Sequence, residues 1–119
     1  MSETPLLNAI RKAATSLGAR LYRNNVGVAR YPDGSRVVYG LYPGSSDLIG
    51  WTPVKIEQRH VGSTLAVFTS IEAKGPRGRL SVGQERWIAA VLAAGGIAAV
   101  ARDVDDAERA IRSVGPHPE

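Results

Sequence analysis

The chain has 119 residues, 44% of them apolar, which is enough for the core of one small α/β domain and short for a catalytic domain joined to a separate recognition domain. It contains no cysteine, which removes disulfides, thiolate metal sites and cysteine nucleophiles, and its two histidines, His60 and His117, lie far outside zinc-ligand spacing. The net charge is +4, and arginines outnumber lysines twelve to three, a balance that suits phosphate contacts and is equally what a GC-rich coding sequence produces.

No apolar run approaches the roughly 20 residues of a membrane span, and the first residues lack a signal-peptide pattern. A soluble cytoplasmic protein with no membrane partner is expected. Asp103, Asp105, Asp106 and Glu108 gather near the C-terminus, so the remaining surface is more basic than the net charge suggests.

In chain order, the first segment reads as a helix. Thr4 is placed to cap it and Pro5 suits its first turn; Leu6, Leu7, Ile10, Ala13, Ala14 and Leu17 recur at helical spacing until Gly18 ends it. Residues 21–30 and 36–41 are strand candidates around Pro32-Asp33-Gly34-Ser35, a tight-turn sequence, and together predict a hairpin. Pro43-Gly44-Ser45-Ser46 forms another turn leading into Asp47-Leu48-Ile49-Gly50-Trp51, with Asp47 beginning a central strand. A second hairpin is expected between residues 54–58 and 65–73.

Beyond Gly75-Pro76-Arg77-Gly78-Arg79, Ser81 and Gln84 form an S-x-x-Q capping box. The helix it opens carries Trp87, Ile88, Val91 and Leu92 as its buried stripe and ends at Gly95-Gly96. Residues 97–101 suit a short buried strand, and Asp103 caps a last helix whose inward face is Val104, Ala107, Ile111 and Val114. The expected order is αββββαβα, with one more strand if 54–58 counts, in a single domain over residues 1–115 followed by a disordered tail at 116–119.

The chemistry concentrates on residues 65–73 and the lysine that follows. Strand alternation puts Phe68, Ser70, Glu72 and Lys74 on one face and Val67, Thr69, Ile71 and Ala73 on the other, so a carboxylate and an ammonium stand side by side at the strand's polar end. A second carboxylate, Asp47 on a neighbouring strand, completes a pair of oxygen ligands for a hard divalent cation. A Glu-x-Lys triplet arises by chance about once in two or three chains of this size, and alone it would be an ordinary surface ion pair. Its place at the end of an apolar strand, between Asp47 and Gln84, is what raises it above that reading.

Other residues keep two readings. Asp47 alone would serve as an Asx-turn residue, although Leu48-Ile49-Gly50 argue for a strand, and capping by itself explains Gln84. Arg77 and Arg79 suit phosphates flanking a cut and equally a solvated turn. Arg23, Asn24 and Asn25 read as DNA contacts or as a polar break between strands. Trp87 belongs to the core stripe, and Trp51 stays open, a dimer contact included.

With Gly44-Ser45-Ser46-Asp47-Leu48-Ile49-Gly50, Ile71-Glu72-Ala73-Lys74, Gly78-Arg79-Leu80-Ser81 through Gln84, and Gly95-Gly96 before an apolar strand, the chain resembles the VRR-NUC family of the PD-(D/E)XK nuclease superfamily. The resemblance runs over nearly the whole chain, including Arg23-Asn24-Asn25-Val26-Gly27, with a hairpin insertion between Trp51 and Thr64. It implies an α/β restriction-endonuclease-like sandwich, a mixed central β-sheet flanked by helices. It implies Mg²⁺ or Mn²⁺ held by Asp47, Glu72 and the backbone carbonyl of Ala73, with Lys74 and Gln84 completing the catalytic set and Glu3 as an additional acid on the first helix. Ser46 stands where the superfamily's naming proline would precede the aspartate.

The activity so implied is DNA hydrolysis leaving 5′-phosphate and 3′-hydroxyl ends. Small standalone members, typical of phages, resemble homodimeric enzymes that cut branched DNA such as Holliday junctions, and larger ones act in DNA repair. A bacterial or phage-infected cell is the expected setting, with no nucleotide cofactor. The alternatives are a non-catalytic nucleic-acid-binding module and a nuclease acting on flaps, linear ends or RNA.

Overall fold

The computed structural model describes residues 3–113. Val114, His117 and the expected tail lie outside them, as does the side chain of Glu3. The fold is mixed α/β, and the chain divides into two compact units, one up to Val54 and the other from Lys55 onward. Among the described residues no helix is long and apolar enough to cross a membrane.

In the first unit α1 (Glu3–Ser16) starts ahead of the expected cap, so Thr4 lies inside its first turn. Gly18 ends it with φ +89°, a left-handed angle that glycine adopts without a Cβ penalty. The inward stripe is narrower than the apolar pattern: Leu7 is buried, Arg11 and Ala14 are half-buried, and Leu6, Ile10 and Leu17 are exposed. Arg11 Nε donates to the Leu21 carbonyl at 3.1 Å and ties the helix to β1 (Arg20–Arg23).

The expected strand over 21–30 is two strands, β1 and β2 (Gly27–Arg30), with the polar break at Asn24. β2 pairs antiparallel with β3 (Arg36–Tyr39) through the predicted turn, where Tyr31 N donates to Ser35 O at 2.9 Å. β4 (Leu48–Trp51) pairs antiparallel with β1 in the register Arg20↔Trp51 to Arg23↔Leu48. Gly50 is required there, because a Cβ would overlap the Arg20 carbonyl. Trp51 meets Tyr22 across the ladder, ring centroids 5.6 Å apart.

In the second unit the expected hairpin between 54–58 and 65–73 does not form. A single 3₁₀ turn, Gln58–His60, occupies its place, with His60 Nδ1 accepting from Glu57 N at 2.9 Å. Val54, Ile56 and Leu65 are exposed, so the segment has no apolar face to hold a strand in register. β5 (Thr69–Ala73) pairs instead with β6 (Ile97–Ala101), parallel, and α2 (Val82–Ala93) makes the crossover between them.

The core of this unit is Val91 of α2 with Ile97, Ala98 and Ala101 of β6, whereas Leu92 is exposed. Asp103 caps α3 (Val104–Arg112) by accepting from Asp106 N at 2.8 Å. Val104 and Ile111 are exposed, against expectation, and the less exposed side chains of α3 are Asp106, Ala107 and Ala110. Asp106 turns back to accept from Arg102 N at 2.9 Å and pairs with Arg109. The order is thus αβββββαβα, one strand longer than expected because 21–30 divides.

Candidate active site

β5 and the first turn of α2 position Glu72, Lys74 and Gln84. The parallel ladder is anchored by Ile97 N to Phe68 O at 2.8 Å and by Lys74 N to Ala101 O at 3.0 Å. Since the backbone groups of a strand alternate between its edges, residues 70 and 72 bond to β6, and the carbonyl of Ala73 points away from it. A carbonyl so turned suits the ligand role that the resemblance implies.

Side chains follow the same alternation. Ser70 and Glu72 face α2, where Ser70 Oγ accepts from Trp87 Nε1 at 2.9 Å and Phe68 meets Trp87 with centroids 6.1 Å apart in an edge-to-face arrangement. Trp87 is therefore half-buried against β5, with its indole N–H satisfied.

Gln84 joins the helix to the carboxylate. Its backbone N donates to Ser81 Oγ at 3.1 Å, and its Oε1 accepts from Ser81 N at 2.9 Å, which completes the predicted capping box. The remaining amide group, Nε2, donates to Glu72 Oε1 at 2.8 Å. The same oxygen lies 3.5 Å from Lys74 Nζ, in a pair whose side chains are 35% and 20% exposed for Glu72 and Lys74. Among the described residues Glu72 Oε2 accepts no hydrogen bond, so one carboxylate oxygen is left for an outside ligand.

The loop after Lys74 is held from a distance. Arg102 donates through Nη1 to Gly75 O at 2.5 Å and through Nη2 to Gly78 O at 2.8 Å. A Cβ at Gly78 would lie 3.2 Å from Lys74 Cδ, so this loop packs against the aliphatic stem of the lysine. Arg77 and Arg79 are exposed on it, with no ion-pair partner among the described residues. Nothing in the local sequence pattern marks Arg102 for this task, since its partners are 24 and 27 residues away.

A concavity of about 360 Å³ opens beside Glu72 and Gln84 and is lined also by Ser70, Ser81, Trp87 and Ile88. A water's share of liquid volume is about 30 Å³, so the space accommodates a hydrated cation or a phosphate group. No group of three or more His, Asp or Glu side chains converges among the described residues. Among the same residues Glu72 is the one carboxylate lining this space, so a metal beside it would rely on few protein ligands and on water, which is how Mg²⁺ is commonly held.

In the first unit Asp47 is exposed and sits immediately before β4. Its carbonyl accepts from Asn24 N at 2.8 Å, which continues the β1–β4 pairing by one step beyond Arg23↔Leu48. Asn24, read above as a DNA contact or a polar break, directs its amide to its own chain, at Ser45, Ser46 and Leu41. Arg23 and Asn25 flank it, both exposed.

The family model of the VRR-NUC domain matches residues 35–105, a span that contains Asp47, Glu72, Lys74 and Gln84. The chain belongs to that family, and is a nuclease domain for which DNA is the implied substrate. Neither the curated proteins nor the solved structures include a significant match to it.

Proposed function

We propose that this nuclease domain is a Mg²⁺- or Mn²⁺-dependent DNA endonuclease, selective for branched DNA such as a Holliday junction and acting as a homodimer in the cytoplasm of a bacterial or phage-infected cell. The observation that carries the metal-dependent reading is the treatment of Glu72: one oxygen is held by Gln84 at 2.8 Å with Lys74 alongside, and the other is left for a ligand. Asp47 is the second carboxylate, on the order of motifs along the chain, and Glu3 is proposed as an additional acid. When bound, the cation supplies a Lewis acid for a phosphate oxygen and a lowered pKa for water.

The chain's own groups do the rest. Gln84 keeps the Glu72 carboxylate in one rotamer, so that the ligand oxygen and the Ala73 carbonyl stand ready on the same strand end. Lys74 Nζ orients the attacking water and balances negative charge as it grows on the phosphate. Arg77 and Arg79 are suited to the phosphates on either side of the cut, and Arg23 and Asn25 are proposed as further backbone contacts. Branched-DNA selectivity and dimerisation rest on the resemblance to small standalone members; a two-fold dimer would present two sites to the two strands of a junction.

The test is a panel of labelled Holliday junction, flap, linear duplex, single-stranded DNA and RNA, each with Mg²⁺, Mn²⁺ or EDTA. Paired, symmetric, metal-dependent incision of the junction is expected. Preferential cutting of another member of the panel would reassign the substrate, and salt-sensitive binding without cutting would make the domain a binding module.

A further inference from the structure

We infer that Asn24 is a positioning residue for the metal-binding aspartate, holding the loop that delivers Asp47; this rests on the reading of Asp47 as a metal ligand. An asparagine side chain has two donors and one accepting oxygen. Here Nδ2 donates to Ser45 Oγ at 2.7 Å and to Ser46 O at 3.0 Å, and Oδ1 accepts from Leu41 N at 2.9 Å. The backbone N of the same residue donates to Asp47 O at 2.8 Å. One residue thus grips the loop at both of its ends, at Leu41 and at Ser45, Ser46 and Asp47.

The loop needs this grip. Gly40 leads into it and Gly44 lies within it, with φ of +90° and +89°, and Ser45 N donates to Tyr42 O at 2.9 Å inside it. Two glycines within a few residues make a segment of high conformational entropy, so its end would otherwise wander. The Asn24 backbone bond extends the β1–β4 ladder to Asp47, and the side-chain bonds hold the two preceding residues. The aspartate therefore leaves the loop in a set direction, as a ligand supported through hydrogen bonds from outside its own coordination shell must.

Asn24→Asp is the discriminating substitution. It keeps the shape and the acceptor for Leu41 N, loses both donors, and sets a negative oxygen against the Ser46 carbonyl. Loss of a direct hydrogen-bond partner of a ligand typically weakens metal binding by about 10- to 100-fold; Asn24 holds the backbone at Asp47 and not its carboxylate, so Asn24→Asp is expected at about tenfold, with cleavage largely recovered at saturating Mn²⁺. Ser45→Ala removes one acceptor and should weaken binding by a few-fold without threatening the fold.

The experiment is Mn²⁺ binding to the full chain, followed by the electron paramagnetic resonance of free Mn²⁺, for the parent, Asn24→Asp, Ser45→Ala and Asp47→Ala, with circular dichroism melts of each. The inference predicts loss of binding in Asp47→Ala and graded weakening in the other two, with the folded spectrum retained. Parental affinity in both Asn24→Asp and Ser45→Ala, while Asp47→Ala loses the metal, would overturn the role of Asn24 alone. Should Asn24→Asp not fold, Ser45→Ala decides by the same criterion. Parental binding in Asp47→Ala would remove the metal reading of Asp47, and the inference with it.

Discussion

Gln84 Nε2 stands 2.8 Å from Glu72 Oε1 while Gln84 Oε1 receives the backbone N–H of Ser81 at 2.9 Å, so one amide starts a helix and restrains a strand carboxylate at once. The two tasks use opposite ends of the same group and are separable by substitution. Gln84→Ala removes both and should lower stability by about 1 kcal/mol through the lost cap. Gln84→Glu keeps the capping acceptor and puts a like charge on Glu72, so it should retain most of the stability while cleavage falls at least about tenfold. Thermal melts and single-turnover rates on the two variants check this.

Lys74 is expected to act on the reaction and not on the fold. It is largely covered but pairs with Glu72 at 3.5 Å, a loose ion pair of small structural worth. Removing a group that stabilises growing negative charge costs about 10²- to 10³-fold in rate, and Lys74→Ala should lose that much while binding DNA with near-parental affinity. Gel-shift titration beside cleavage separates the two quantities.

Arg102 should control the loop bearing Arg77 and Arg79. Arg102→Lys keeps the charge and loses the planar fork that reaches Gly75 O and Gly78 O together, so it is not conservative here. Faster hydrogen exchange at Gly78 and weaker DNA binding are expected in the lysine variant, with a loss of stability of about 1 kcal/mol or less for these exposed bonds. Exchange confined to wild-type rates would contradict the clamp.

Gly50 is a steric requirement of β4. Alanine there would drive its Cβ into the Arg20 carbonyl, a backbone obstacle that no side-chain rotation relieves. Gly50→Ala should cost about 2 kcal/mol or more and open the β1–β4 ladder, read as a lowered melting temperature and lost protection at Tyr22 and Ile49, the amides the register pairs across it.

Asp33 gives a pH signature of the β2–β3 hairpin. Hydrogen bonds from Ser35 Oγ at 2.6 Å and Ser35 N at 2.9 Å hold its carboxyl below the usual carboxylate value. A depressed folded-state pKa contributes stability above the unfolded value, near 3.8, that is lost as pH falls through the lower folded value. Amides at the turn should therefore lose protection below about pH 4, and Asp33→Asn should flatten that dependence.

Much of the candidate site was legible in the sequence because its parts are local. Ser81 and Gln84 mark the start of α2 by residue type and spacing, and strand alternation puts Ser70, Glu72 and Lys74 on one face, as the contacts of Ser70 and Glu72 with α2 show. What was not legible depends on distant partners. Residues 21–30 read as one strand candidate with a polar break at Asn24 as an alternative, and what the sequence could not decide is that the loop claiming its amide lies 17 to 22 residues away. The 54–58 segment alternates like a strand but has no partner surface, and Leu92 and Ile111 fit helical stripes wider than the area their helices cover. Periodicity reports which residues share a face, and only packing decides how much of that face is buried.

The most direct test of the account is single-turnover cleavage of a labelled four-way junction by the parent and by Glu72→Ala, with Mn²⁺ and with EDTA. The account predicts cutting by the parent with Mn²⁺, none with EDTA, and a loss of at least about 10³-fold in Glu72→Ala with the fold and DNA binding intact. Equal cutting by the two proteins, or cutting undiminished by EDTA, would contradict a metal-dependent site built on Glu72.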